Sequence, residues 1–192
     1  MSRTGEPSRR QFLELVGALG LPSVALSADS GGQGKQKTPA SLSAKSEPKL
    51  LVLTAHQTET LGALAEQIVP KDSDPGARDA GAVEYIERVL ADNQAFKLPL
   101  YEAGLEGVDQ TSRLMFGGDF VRLPFQEQTS VLKAIESGEG PAEIWKTVSS
   151  QEFFRLLWNH VLEGFYGPPE EGGNKDYASW KMIGFPKHSG TM

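Results

Sequence analysis

The stretch from Ser149 to Phe165 constrains the fold of this chain more than any other. Ser149 and Glu152 have the spacing of an N-terminal capping box, which predicts that a helix begins there. Apolar residues then cover nearly the whole circumference of that helix: Phe153, Phe154, Leu156, Leu157, Trp158, Val161, Leu162 and Phe165. A helix that is apolar all round is central in a bundle or covered by a partner, and we expect both in part.

Four further helices are predicted before this one, from apolar residues that recur at helical spacing. Thr54 and Gln57 form a capping box for the first helix, and Pro70 ends it. The others are predicted over residues 81–92, over residues 98–115, and from Pro124 to Gly138. No stretch alternates like a strand. The prediction is an all-α fold, a compact bundle of about five helices over residues 53–167, with an irregular aromatic and glycine-rich C-terminal loop over residues 168–192.

The N-terminal part has the pattern of an export signal. Arg9 and Arg10 are followed by Phe12, Leu13 and an apolar run that is too short to anchor a protein in a bilayer. Small residues near Ala28 complete a signal over residues 1–28, and the paired arginines favour the twin-arginine route. The alternative is a short amphipathic or buried helix. Residues 29–52 are mostly Gly, Ser, Lys, Gln and Pro, which predicts a disordered linker.

Composition argues against several classes of function. The chain of 192 residues has a formal net charge of −6 and no basic patch, which argues against nucleic acid as a partner. It has no cysteine, which excludes disulfides, cysteine-ligated iron–sulfur clusters and c-type haem attachment in this chain. It has no P-loop and no dinucleotide-binding glycine motif after a strand, so we expect no cofactor in this chain.

Catalytic and metal-binding residues are not predicted either. A di-metal helix motif would need a glutamate three residues before His160, but Leu157 stands there, so we expect His160 to be a hydrogen-bonded interior or interface residue. His56 is expected in an ordinary helix start beside Glu59. The acidic loop over residues 71–79 is too short for an EF-hand and is expected to be solvated, with weak cation binding as the alternative.

Residues 172–186 combine glycines with Tyr177, Trp180 and Phe185 and show no helical or strand period. Such a composition predicts a shaped loop. Two interpretations stay open for its rings: they dock onto the chain's own helices, or they also form part of an interface, where Trp and Tyr are favoured anchors.

The ending GGN…W-K-x-I-G-F-P resembles the small subunit of membrane-associated gluconate 2-dehydrogenase, known as subunit 3. The resemblance runs from about Leu53 to Pro186, and a twin-arginine signal is part of it. The chain departs from the family's usual pattern at Glu171, where an aromatic residue is common, and at Lys187, where glycine is common. With Tyr177 added for its ring, the candidate partner-binding residues are Gly172, Gly173, Asn174, Tyr177, Trp180, Lys181, Ile183, Gly184, Phe185 and Pro186.

The resemblance implies a non-catalytic small subunit of an FAD-dependent sugar or polyol dehydrogenase. FAD would reside in a large partner subunit, and haem c in a cytochrome c subunit where the complex has three chains. The small subunit would bind and stabilise the flavoprotein and lend it a signal read by the twin-arginine translocase, which implies a periplasmic location, at the inner membrane through its partners. The alternative is an independent exported sugar-binding protein or enzyme, with Asn174, Tyr177 and Trp180 around a pocket beneath the C-terminal loop.

Overall fold

The computed structural model describes residues 52–185. The predicted export signal with Arg9, Arg10, Phe12 and Leu13 lies outside the described residues, as do nearly all of the predicted linker and Pro186 with the residues after it. These predictions therefore stay predictions. The described residues all belong to one compact unit.

Helices make up the regular structure of residues 52–185, and no strand occurs among them. The helices are α1 (Ala55–Ile68), α2 (Ala82–Ala91), α3 (Leu98–Phe116), α4 (Phe125–Ser137), α5 (Ser150–Tyr166) and α6 (Ala178–Met182). Short 3-10 helices lie at Ala95–Lys97, Phe120–Arg122, Pro169–Glu171 and Lys175–Tyr177. The prediction of an all-α bundle is confirmed, and helices α1–α5 form it.

The ends of the helices follow from single residues. The Thr54 side chain accepts a hydrogen bond from the backbone N–H of Gln57, whose side chain accepts from the backbone N–H of Thr54, so this capping box is complete. Gly117 and Gly138 end α3 and α4 in the left-handed conformation that glycine adopts without strain. Pro124 precedes α4 as its N-cap, one position earlier than a Pro at the first helical residue would lie.

Helix α5 lies against all the other long helices, as its apolar sequence predicts. The core includes apolar side chains with no solvent exposure, among them Phe153, Leu157, Val161 and Phe165 of α5. Four other apolar residues of α5 pack against this core but are only half-buried: Phe154, Leu156, Trp158 and Leu162. The helix is therefore central along one side and partly open along the other.

The C-terminal part differs from the expectation of a loop without helix. Two 3-10 turns and the five residues of α6 give it regular structure. A helix this short shows no apolar period in the sequence, because contacts with the rest of the fold hold it rather than its own pattern. None of the helices in the described part of the chain is long and apolar enough to cross a membrane.

Candidate partner-binding site

The C-terminal segment (residues 168–185) folds back over the end of α5 and caps it. The last carbonyl groups of an α-helix have no partner within the helix. Here the Gly164 carbonyl accepts a hydrogen bond from the Asn174 backbone N–H at 2.7 Å. The Tyr166 carbonyl accepts one from the Trp180 indole N–H at 2.8 Å. The segment thus supplies hydrogen-bond donors to carbonyl groups that have no partner within helix α5.

Asn174 is the centre of this arrangement and has no solvent exposure. Its Nδ2 donates to the carbonyl oxygen of Gly167 at 3.0 Å. Its Oδ1 accepts from the backbone N–H of Ser179 at 3.0 Å and from the Ser179 hydroxyl at 2.8 Å. Asn174 has φ of 42°, a left-handed conformation that asparagine tolerates better than most residues. Both ends of the amide are therefore used inside the molecule.

The paired glycines before Asn174 have separate steric roles. Gly172 has φ of 94°, which L-residues with side chains rarely adopt. Gly173 lies so close to helix α5 that a Cβ atom there would be 2.1 Å from the carbonyl oxygen of Gly164. The segment can therefore approach α5 only with glycine at position 173.

Aromatic and aliphatic side chains form the outer side of this segment. The Trp180 ring lies between the rings of Tyr177 and Phe185, at centroid distances of 5.7 Å and 4.9 Å. Ile183 and Phe185 are 55% and 43% exposed, and Tyr166 at the end of α5 is 39% exposed. We call Tyr166, Tyr177, Trp180, Ile183 and Phe185 the aromatic face. Exposed apolar groups of this kind are typical of surfaces that contact other proteins.

The half-buried side of α5 leads to this face. Phe154, Trp158 and Leu162 follow one another at a spacing of four residues, and the next position in the series is Tyr166. Residues four apart lie on the same face of a helix. The aromatic face is therefore continuous with an apolar ridge along the partly open side of the most central helix.

The predicted partner-binding residues differ in their solvent exposure. Gly173 and Asn174 are buried, and Gly172 is half-buried. Tyr177 and Trp180 are half-buried, whereas Lys181, Ile183, Gly184 and Phe185 are exposed. The buried residues shape the segment, and the exposed ones lie at its surface. The Trp180 ring docks onto the chain's own α5 through its bond to the Tyr166 carbonyl, and a role of the rings in an interface stays a prediction. Pro186 lies outside the described residues.

His160 is an interior residue, which confirms one of the two expectations for it. Its Nε2 lies 2.9 Å from Gln94 Oε1 and its Nδ1 lies 2.9 Å from the Tyr101 hydroxyl. Because the amide oxygen can only accept, Nε2 carries the proton and Nδ1 accepts from Tyr101. Burial, with a smaller contribution from Lys97, lowers the pKa of His160 to about 4. The imidazole is therefore neutral at physiological pH and links α5 to α3.

A second polar pair, between the exposed His56 and the buried Asp109, was not predicted. His56 Nε2 lies 2.6 Å from Oδ2 of Asp109, a buried residue 53 positions away in the sequence. The other carboxylate oxygen of Asp109 accepts from the backbone N–H of Phe120 at 2.9 Å. His56 is thus more than part of a helix start, because it joins α1 to α3. No local sequence signal reveals a contact between positions this far apart.

An open groove of about 480 Å³ lies on another side of the C-terminal segment. It is lined by Asp74, Pro75, Asp79, Lys175, Asp176, Ala178, Lys181 and Met182. None of Asn174, Tyr177 and Trp180 lines this groove, and the Asn174 amide is fully bonded elsewhere. The structure does not bring these three residues together around a sugar-sized pocket there. Within residues 52–185, no group of three or more His, Asp or Glu side chains could hold a metal ion.

Comparison with known families matches most of the chain. The model of a family described as gluconate 2-dehydrogenase subunit 3 matches residues 55–186, from the first residue of α1 to the end of the glycine and aromatic motif. Comparisons with curated proteins and with solved structures find no match. The matched range covers the whole bundle together with the aromatic face.

Proposed function

Because the chain belongs to the gluconate 2-dehydrogenase subunit 3 family, we propose that it is the non-catalytic small subunit of a membrane-associated, FAD-dependent sugar or polyol dehydrogenase. It binds and stabilises a large subunit that carries FAD and the catalytic residues. A cytochrome c subunit completes the three-chain form of such a complex.

The aromatic face is the observation that carries the proposal. Trp180 is held by its hydrogen bond to the Tyr166 carbonyl and by the flanking rings of Tyr177 and Phe185. A rigid aromatic group loses little conformational entropy when it binds, and tryptophan and tyrosine are enriched among the residues that dominate binding energy. The face therefore fits the contact with the flavoprotein, with the α5 ridge extending it.

Export follows from the same association. A flavoprotein takes up its cofactor in the cytoplasm and must then cross the membrane folded, a route that the predicted twin-arginine signal at Arg9 and Arg10 provides. One signal serves both chains if they associate first. The complex then resides in the periplasm, held at the inner membrane by its partners.

The test is purification of the tagged chain from its native host, with flavin absorbance measured in the eluate. We expect a flavoprotein to co-purify with the native sequence and to be lost with Phe185→Ala and Trp180→Ala. Phe96→Ala is the matched control, because Phe96 is 76% exposed and lies outside the aromatic face.

If both variants fold and still retain the flavoprotein, the aromatic face is not part of the interface. A folded chain that elutes without flavin and binds a sugar on its own would overturn the subunit proposal. Such a result would favour an independent exported sugar-binding protein or enzyme.

A further inference from the structure

We propose that Asn174 is a positioning residue that holds the aromatic face in its binding conformation from inside the molecule, and that it does not touch the flavoprotein. The inference rests on the proposed function, since it concerns how that binding surface is built. The first support is that Asn174 has no solvent exposure, so a partner cannot reach its amide without opening the segment.

The second support is the path of contacts that leads from Asn174 to the aromatic face. Asn174 Oδ1 accepts two hydrogen bonds from Ser179, one residue before Trp180, and so fixes the start of α6. The Trp180 carbonyl in turn accepts from the Phe185 backbone N–H at 2.8 Å. The Asn174 amide thus joins the start of α6 to the end of α5, and it acts together with the bond from the Trp180 indole to the Tyr166 carbonyl to position both rings.

The third support is the backbone between Asn174 and Ser179. Asp176 and Tyr177 have φ of 55° and 58°, values that non-glycine residues adopt only when the surrounding structure enforces them. The Asn174 amide spans this unfavourable turn and bonds on both sides of it, to Gly167 and to Ser179. Without those bonds, we expect the turn to relax and the segment to populate other conformations.

Loss of the Asn174 bonds should weaken binding, because fewer molecules would then have the binding conformation of the segment. When only a fraction of the molecules has the binding conformation, the apparent dissociation constant rises by the inverse of that fraction. Asn174→Ala removes the three side-chain hydrogen bonds at once. We expect the apparent Kd for the flavoprotein to rise at least about tenfold, because each buried group left unpaired shifts such an equilibrium by a factor of this size.

The experiment compares Asn174→Ala with Phe185→Ala and with the exposed control Asn93→Ala in the full chain. Two quantities are measured: the apparent Kd for the co-purified flavoprotein, and hydrogen exchange of the amides of residues 174–185. We expect Asn174→Ala to weaken binding and to accelerate exchange in the segment, while the far-ultraviolet circular dichroism of the bundle is kept. Phe185→Ala should weaken binding without accelerating exchange at Ser179, and Asn93→Ala should change neither quantity.

Unchanged exchange in Asn174→Ala would overturn the positioning role, and so would faster exchange with unchanged affinity. If Asn174→Ala does not fold, Ser179→Ala decides the matter: it removes one of the bonds and should shift both quantities in the same direction by a smaller factor. If the native chain binds no flavoprotein, the proposed function fails. The exchange measurement then still decides whether Asn174 holds the segment in place.

Discussion

The helical bundle and the C-terminal segment lie side by side but are held by different interactions. Large apolar side chains with no exposure, such as Phe153 and Leu157, hold the bundle together. Hydrogen bonds from Asn174 and the Trp180 indole hold the segment, and much of its apolar surface stays outside. A buried apolar core resists local opening, whereas a hydrogen-bonded edge opens at lower cost. The contrast separates the apolar residues that are buried in the bundle from the apolar residues that the segment exposes at the surface.

The largest effect is expected from Phe153→Ala. Phe153 is fully buried and packs edge-on against Tyr101, with ring centroids 5.9 Å apart. Its loss leaves a cavity in the centre of the bundle and should lower the free energy of unfolding by about 3–5 kcal/mol. Urea denaturation measures this change. The control Phe96→Ala should shift the value by less than about 0.5 kcal/mol, and equal losses for the two variants would contradict an apolar core as the main source of stability.

Asp109→Ala tests whether the bundle depends on apolar burial alone. The substitution removes the acceptor for the buried Phe120 N–H and the partner of His56, so we expect a loss of about 1–3 kcal/mol. Denaturation again gives the value, with the exposed residue Asp92 changed to alanine as the control. A loss as large as that of Phe153→Ala would mean that the polar pair matters as much as the core, and the contrast would fail.

Two glycine variants test whether close approach to α5 is what orders the C-terminal segment. Gly173→Ala places a Cβ atom against the Gly164 carbonyl, so the segment must move away from α5 at a cost of about 1–3 kcal/mol. Gly184 has φ of 67° with open space around it, so Gly184→Ala meets only the backbone penalty of about 1 kcal/mol. Native-state hydrogen exchange measures the opening free energy of residues 174–185 in both variants. Equal effects would show that close approach to α5 is not what orders the segment.

The last prediction concerns pH and the bundle, where the effect is small near neutral pH and grows as the pH falls. The pKa of His160 is lowered to about 4 in the folded protein, from a usual value of 6.5. The unfolded chain therefore binds this proton first as pH falls, so the stability contributed by neutral His160 is complete above about pH 6.5 and is lost between that pH and about pH 4. Denaturation at a series of pH values should show a shallower dependence for His160→Gln. Identical slopes would exclude His160 as a source of acid sensitivity.

Local patterns were enough to predict the bundle. Thr54, Gly117 and Gly138 cap helices through contacts with residues close to them in the sequence. The spacing of the apolar residues of α5 indicates that the helix is buried. The same reasoning did not find the contact between His56 and Asp109, because the two positions meet only after α1 and α3 have packed. Sequence reasoning finds helix ends well and tertiary hydrogen bonds poorly.

The C-terminal motif shows the same limit at the candidate site. Its residue types drew attention to the segment as a whole, but they did not separate Asn174, which is buried, from Phe185, which is exposed. That difference arises from the return of the chain over the end of α5, which leaves no periodic signal. Helix α6 was missed for the same reason.

Helix α5 is capped by residues that follow it in the sequence, and this fixes the order in which the helix and the aromatic face can form. A chain is synthesised from its N-terminus, so α5 is complete before Asn174 and Trp180 become available to close its last carbonyls. The aromatic face cannot form until that closure has occurred, because the same residues do both. Under the proposed function, a partner that recognises the face would bind only molecules whose central helix is already capped, so that assembly would follow folding.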